Sequence, residues 1–384
     1  MSNDDFVLLP GRSGDPFARE VARYLERTLC PVEFVEFRDD GGPMSGETKI
    51  EIRQNIRGKH AYVLWSIGYT NYELMQVLQL IDTARLSCGA HSASLICPEL
   101  PCARQDKTHE RRESLTSRLV ARLLEYVGLD EVMTCDLHSD QIEGHFRIPL
   151  DHIRTRPVWG HYIAQRYREW MADYGLAPEG ADLVLGVPDA GASRAVRELS
   201  DDVGRNLKTS AKKIKIQLCH HDKMRLWERP HEVQTHGLLG NVRGKVVWFS
   251  DDLLSSGGTL FAAAAAARAN GARYVVCSVT HAHGFDRTDG DGVLKSFAEA
   301  LHESAIDELC VTDSHPRFLE RVRRDPLLAA KTTVLSLTPL FGEAIQRLRS
   351  GNTIKEMMKE IPDYGRLYAV AHEPEPRPRL RPLA

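Results

Sequence analysis

No stretch of this 384-residue sequence approaches the roughly 20 consecutive apolar residues that a membrane-spanning helix needs; the longest run, Phe261–Ala267, is dominated by alanine. The chain is therefore not expected to cross or bind a membrane. Charge of one sign is also missing. Fifty Lys and Arg face 53 Asp and Glu, for a formal charge of -3, which excludes a surface basic all over and makes nucleic acid an unexpected partner. Eight cysteines run from Cys30 to Cys310 without a CxxC pair, and the closest two, Cys97 and Cys102, match neither a zinc knuckle nor a redox motif. Reduced, mostly buried thiols are expected. The first residues, MSNDDFVLLP, carry acids where a secretory signal carries a basic region, and Pro10 interrupts the apolar stretch. A cytoplasmic protein is expected. With 42% hydrophobic and 27% charged residues, the composition is neither disordered nor fibrous, and the length suggests two domains.

Short β-branched runs alternate with helical spacing along most of the chain, the pattern of an α/β protein with mainly parallel sheets flanked by helices. Strands are predicted at Phe6–Leu9, Val32–Phe37, Ala61–Trp65, Ser94–Cys97 and Glu131–Asp136. The second half repeats the rhythm at Leu183–Val187, Lys213–Leu218, Val246–Ser250, Tyr274–Thr280, Glu308–Thr312 and Val334–Leu337. Helices are predicted over Pro16–Leu29, Tyr72–Ser87, Leu115–Val127, Val158–Tyr174 and Leu260–Asn270. Two similar domains follow, residues 1–155 and 156–360, with 361–384 as a proline-rich, loosely attached tail. The polar interval His220–Gly244 reads as a mobile loop, and Phe285–Val293 as an exposed one.

The clearest chemistry lies in VVWFSDDLLSSGGTL, residues 246–260. A buried strand ends in Asp251 and Asp252, passes through Ser255, Ser256, Gly257, Gly258 and Thr259, and enters a helix. Glycines allow backbone N–H groups to reach a phosphate monoester, hydroxyls add donors, and the helix N-terminus supplies positive potential. Two acids one sugar-length away suit vicinal hydroxyls, so the segment reads as a ribose 5-phosphate site. The other reading is a polar turn after a core strand.

This strand and loop resemble the phosphoribosyl diphosphate motif shared by type I phosphoribosyltransferases and ribose-phosphate diphosphokinases. The rest of the chain resembles the diphosphokinases. The collinear features are Asn55–Gly58, Asn71–Met75, Ala103–Asp106 after Pro101, Asp136-Leu137-His138 with Gln141, Ile142 and Gly144, Pro188–Gly191, Asp222-Lys223, Thr280-His281, Val311–Ser314, and Leu340–Arg347 with Gly351. The resemblance implies transfer of the β,γ-diphosphoryl group of ATP to the anomeric hydroxyl of ribose 5-phosphate, with Mg²⁺ as cofactor. It implies that His138 and Asp189 contact the metal, that Arg104 and Gln105 meet ATP, and that Lys223 and Arg225 carry catalysis on a closing loop. Phe37 and Asp39, or Glu47, fall where the family contacts adenine. A homo-oligomer, with a hexamer as the candidate assembly, is also implied.

Three departures stand out. Ser255 occupies a position where diphosphokinases generally have an acid, Met224 replaces a cation between Lys223 and Arg225, and the 37–47 segment is long. Two alternatives remain open at this point: a phosphoribosyltransferase using phosphoribosyl diphosphate, or a non-catalytic regulatory relative. The retained His138, Asp189, Lys223, Arg225, Asp251 and Asp252 favour catalysis.

Overall fold

The computed structural model describes residues 5–38, 44–68, 70–108, 110–174, 183–188, 193–207, 217–225, 233–288, 294–360 and 364–374. They form two compact units. One comprises residues 1–154, 314–316 and 337–361, and the other residues 155–313, 317–336 and 362–384.

The first unit runs β1 (Phe6–Pro10), α1 (Pro16–Tyr24), β2 (Val32–Arg38), β3 (Met44–Ile52), β4 (His60–Leu64), α2 (Thr70–Asp82), β5 (Ser92–Ile96), α3 (Thr116–Tyr126), β6 (Glu131–Cys135) and β7 (Leu150–Ile153). Its main sheet has the order β1-β4-β5-β6-β7 and is parallel throughout, while among the described residues β2 and β3 form a separate antiparallel pair. Buried Leu9, Val63, Leu95 and Val132 from successive strands build the core. Asp15, fully buried, caps α1 by accepting from Phe17 N at 3.0 Å, and Pro16 starts the helix where no N–H is needed. The same carboxylate accepts from Ser66 N and Oγ at 2.9 and 2.6 Å, tying the ends of β1 and β4 together. The helix predicted to Leu29 stops at Tyr24, because Glu26 takes a positive φ of 52°.

The second unit runs α4 (Arg156–Tyr174), β8 (Leu183–Val187), α5 (Ser193–Asn206), β9 (Gln217–Arg225), β10 (Val233–Leu239), β11 (Val246–Leu254), α6 (Gly258–Ala269), β12 (Tyr274–Ala282), the short β13 (Arg287–Thr288) and β14 (Leu294–Lys295), α7 (Phe297–Glu303), β15 (Glu308–Thr312), α8 (Pro316–Arg324), α9 (Pro326–Ala329) and β16 (Thr332–Ser336). Helices α10 (Thr338–Arg349) and α11 (Ile354–Glu360) then cluster with the first unit, where Phe341 packs edge-on against Phe17. In the 361–384 stretch, β17 (Ala369–His372) pairs antiparallel with β16. The large sheet has the order β10-β9-β8-β11-β12-β15-β16-β17, parallel except at its two edge pairs. Every residue of β8, β12 and β15 is buried, as strands covered on both faces require.

Of the interval His220–Gly244, expected as a mobile loop, the residues to Arg225 belong to β9 and Val233–Leu239 form β10, paired from Val233↔Arg225 to Leu239↔His220, while 226–232 lie outside the described residues. Polar strands are tolerated near a sheet edge, so they lack the apolar signature of the central ones. Of the strand predicted at Lys213–Leu218, the described residues Gln217 and Leu218 open β9. No disulfide joins the described cysteines, and Cys30, Cys97, Cys135, Cys277 and Cys310 are buried; burial pushes the Cys30 thiol up to about 11. Among the described residues no helix is long and apolar enough to cross a membrane.

A buried charge pair locks α4 to β15. Arg166 donates to Glu308 at 2.9 Å with side-chain exposures of 4% and 2%. Thr333 Oγ1 donates to the other Glu308 oxygen at 2.8 Å, and the guanidinium lies 4.9 Å from the Trp170 ring centroid. Removing Glu308 leaves the buried Arg166 guanidinium with the partly exposed Glu169, 2.5 Å away, in place of its buried partner. Glu308→Ala should therefore destabilise this unit by about 3–5 kcal/mol, read by urea unfolding, whereas Thr333→Val should cost about 1–3 kcal/mol.

Candidate active site

In the second unit, β11 outruns its neighbour. Its ladder to β8 extends from Val246↔Leu183 to Phe249↔Gly186, while its ladder to β12 continues to Leu254↔Ala282. Asp251 and Asp252 thus sit on a strand end bordered by β12 on one side, at the carboxyl edge of a parallel sheet where ligands collect. Below them, Trp248 Nε1 donates to Ser278 Oγ at 2.8 Å, and that hydroxyl donates to Ser250 Oγ at 3.1 Å, which fixes the β11–β12 register. Asp251 Oδ1 accepts from the Asp252 amide at 3.0 Å. Both acids are half-buried.

The chain then turns through Ser255 and Ser256 to Gly257, whose φ of 80° is the left-handed conformation that glycine adopts without strain. A Cβ there would lie 2.7 Å from the Phe261 ring, so the residue must be small as well. Helix α6 begins at Gly258, and its N-cap Gly257 puts no side chain over the helix start. At Gly258 a Cβ would meet nothing within 4 Å. The loop is braced from behind by segment 283–285: His283 N donates to Leu254 O and Phe285 N to Ser255 O, both at 2.9 Å. Arg321 and Phe297 N hold that segment through Asp286, at 3.1 and 2.9 Å. These backbone links join residues some thirty positions apart and left no local signal in the sequence. Buried His281 faces Leu253 in the ladder, and His283 is half-buried.

In the first unit, Arg104 and Gln105 are exposed on the turn that follows β5. The turn is anchored: Gln105 N donates to Cys102 O at 3.0 Å, Ser117 Oγ donates to Gln105 O at 2.8 Å, and Thr116 bonds the Gln105 side chain. Ser117 Oγ also lies 3.0 Å from His145 Nδ1, and burial, with Arg118 nearby, holds that imidazole below its ordinary pKa. The adjacent strand β6 leads to His138, exposed on a turn that begins with Asp136 at a φ of 37°. Pro98 O links the two strand ends by accepting from Cys135 N at 3.1 Å and Thr134 Oγ1 at 3.2 Å. Phe37, on the β2–β3 hairpin, is 48% exposed, and Glu47 lies on the opposite arm.

Lys223 and Arg225 lie on β9, opposite Thr235 and Val233. Asp39 and Asp189 fall outside the described residues. Among the predicted residues, then, Asp251, Asp252 and Ser255–Thr259 lie on one continuous strand end, loop and helix start. Arg104, Gln105 and His138 occupy neighbouring strand ends of the first unit.

Comparison with known proteins bears on this arrangement directly. Residues 6–128 match the family model for the N-terminal domain of ribose phosphate pyrophosphokinase. The chain is 30% identical over 354 residues to the ribose-phosphate pyrophosphokinase of Campylobacter jejuni, covering 92% of this chain and 98% of that protein. It is 32% identical over 352 residues to the Mesorhizobium japonicum enzyme of the same name, covering 91% and 99%. The chain belongs to the ribose-phosphate pyrophosphokinase family. It is accordingly an enzyme, a transferase. The fold agrees: the crystal structure of phosphoribosylpyrophosphate synthetase from Mycobacterium smegmatis superposes with a TM-score of 0.73 at 28% identity, covering 91% of this chain and all of that one. Coverage of both units by full-length pyrophosphokinases sets aside a phosphoribosyltransferase of one such unit.

The two loop glycines should respond oppositely to a methyl group. Gly257→Ala should lower stability by about 1–3 kcal/mol, because the left-handed backbone is strained for alanine and the Phe261 ring must shift. Gly258→Ala, with open space around its Cβ, should leave the melting temperature unchanged or slightly raised. Thermal unfolding followed by circular dichroism distinguishes the two.

Proposed function

We propose that the protein transfers the β,γ-diphosphoryl group of ATP to the anomeric hydroxyl of ribose 5-phosphate, giving 5-phosphoribosyl 1-diphosphate and AMP. The observation that carries this reading is the glycine-opened N-terminus of α6, reached through Ser255–Gly257 directly from the strand end that bears Asp251 and Asp252. Amides of Gly257, Gly258 and Thr259 bind the 5-phosphate, with the Ser255, Ser256 and Thr259 hydroxyls as further donors. Asp251 and Asp252 accept hydrogen bonds from the ribose 2- and 3-hydroxyls and orient C1. With Ser255 in place of an acid, the first loop position offers a neutral hydroxyl to the sugar ester.

Arg104 and Gln105 hold the nucleotide, the guanidinium pairing phosphate oxygens through its planar fork. Phe37 and Asp39 receive the adenine. Mg²⁺ fits the residues present: His138 is exposed on a turn bracketed by Asp136 and Asp140, a water-facing setting suited to an ion that keeps several waters. His138 and Asp189 would hold it. When bound, Mg²⁺ neutralises charge on the phosphate oxygens and so lowers the barrier to attack. Lys223 and Arg225 supply further positive charge to the phosphoryl group in transfer, and no covalent intermediate is needed. The expected setting is a cytoplasmic homo-oligomer, with a hexamer as the candidate assembly.

Release of AMP that depends on both ATP and ribose 5-phosphate tests this reading. A protein that binds ATP yet forms no AMP would instead be a regulatory relative. Lys223→Ala should lower turnover about a thousandfold, by analogy with removing a cation from a phosphoryl-transfer site, with little change in ATP affinity; an effect of only a few fold would exclude the assignment. Ser255→Asp should tighten ribose 5-phosphate binding in calorimetry, and no change would show that the first loop position does not touch the sugar ester.

A further inference from the structure

The turn carrying His138 is strained at its start and braced from inside. Asp136 is one of four non-glycine residues with positive φ among those described, a conformation costing on the order of 1–3 kcal/mol that neighbouring structure must offset. Two bonds hold it. Asp136 N donates to Ile153 O of β7 at 3.1 Å, and Leu137 N donates to His152 Nε2 at 2.9 Å. The other nitrogen of the His152 ring, Nδ1, lies 2.7 Å from Glu143 Oε1. Glu143 belongs to the 3₁₀ turn Asp140–His145, which Ser139 caps by accepting from Gln141 N at 3.2 Å. One imidazole therefore ties the backbone immediately before His138 to the turn immediately after it.

The tautomer follows from the geometry. A nitrogen that accepts an amide N–H carries no proton, so the proton sits on Nδ1 and is donated to Glu143. The His152 side chain is 4% exposed. Burial and the adjacent Arg154 hold its pKa below the ordinary histidine value, against the opposing pull of Glu143 and Asp136. The same bonds dispose of a rival reading. Asp140, Glu143 and His152 lie close enough together to suggest a cation site, but Arg154 donates to Asp140 at 2.7 Å and lies 3.8 Å from Glu143. A protein cation and a ring N–H already serve these oxygens.

We propose that His152 and Glu143 are positioning residues that fix the orientation in which the Asp136–His138 turn presents His138. The proposal rests on the reading of His138 as a metal contact. Outer groups of this kind typically change metal affinity or activity about 10- to 100-fold.

The test compares Glu143→Ala, Glu143→Gln and His138→Ala with the unaltered protein. Two readouts are used: the His152 tautomer by long-range ¹H–¹⁵N NMR, and the Mg²⁺ concentration giving half-maximal AMP release. Glu143 is 45% exposed, so its variants should fold, and Glu143→Gln keeps an acceptor for the ring N–H. The unaltered protein and Glu143→Gln should show the Nδ1–H tautomer and similar Mg²⁺ dependence. Glu143→Ala should keep the Nδ1–H tautomer, which the Leu137 amide sets, yet require about tenfold more Mg²⁺, with KM for ribose 5-phosphate unchanged. An Nε2–H tautomer in the unaltered protein overturns the proposal, as does Glu143→Ala with Mg²⁺ dependence within twofold while His138→Ala raises it. If His138→Ala also leaves Mg²⁺ dependence unchanged, the metal reading falls and this proposal falls with it, a distinct outcome.

Discussion

The site depends on a mismatch in length between neighbouring strands. β11 continues past the last recorded pair with β8 and stays in register with β12 as far as Leu254. Beyond that last pair Asp251 and Asp252, both half-buried, run alongside β12, and the chain then turns through Gly257 into α6. Electrostatics and hydrogen bonding can act together at such a place: a helix start carries positive potential, and main-chain N–H groups are donors to an anion. An anionic ester satisfies both.

Rigidity around that edge is supplied by groups that never meet a ligand. The ladder from Trp248 through Ser278 to Ser250 fixes β11 from below, and the 283–285 segment fixes the loop from behind. The Arg166–Glu308 pair lies deeper still, joining α4 to β15. Under the proposed reading such bracing matters, because binding energy drawn from positioning is lost when a site loosens. In the first unit the same logic appears in smaller form: Ser117 pins the Gln105 carbonyl, and His152 spans the turn that carries His138.

Much of this was legible in the sequence, and the reason is contiguity. The Asp-Asp and Ser-Ser-Gly-Gly-Thr run presents strand, acids, glycines and helix start within fifteen residues, and the strand, turn and helix form where the local signals put them. Fully buried parallel strands are equally plain, since an uninterrupted apolar run such as Leu183–Val187 has few other uses. What escaped is what depends on distant partners. The hairpin β9–β10 reads as loop because near a sheet edge its polar residues cost little, and its ladder bonds have no signature in composition. Helices α10 and α11 are helical in pattern, but their clustering with the first unit is decided by contacts such as Phe17 with Phe341. The Leu137–His152–Glu143 chain is likewise invisible, because an isolated histidine on a strand says nothing of which amide it will accept.

Crystallography of the protein soaked with ribose 5-phosphate tests the central claim most directly. The account predicts density for the phosphoryl group within hydrogen-bond distance of the Gly257, Gly258 and Thr259 amides, with the ribose hydroxyls on Asp251 and Asp252. Well-ordered sugar phosphate bound elsewhere, with the start of α6 still solvated, would contradict it.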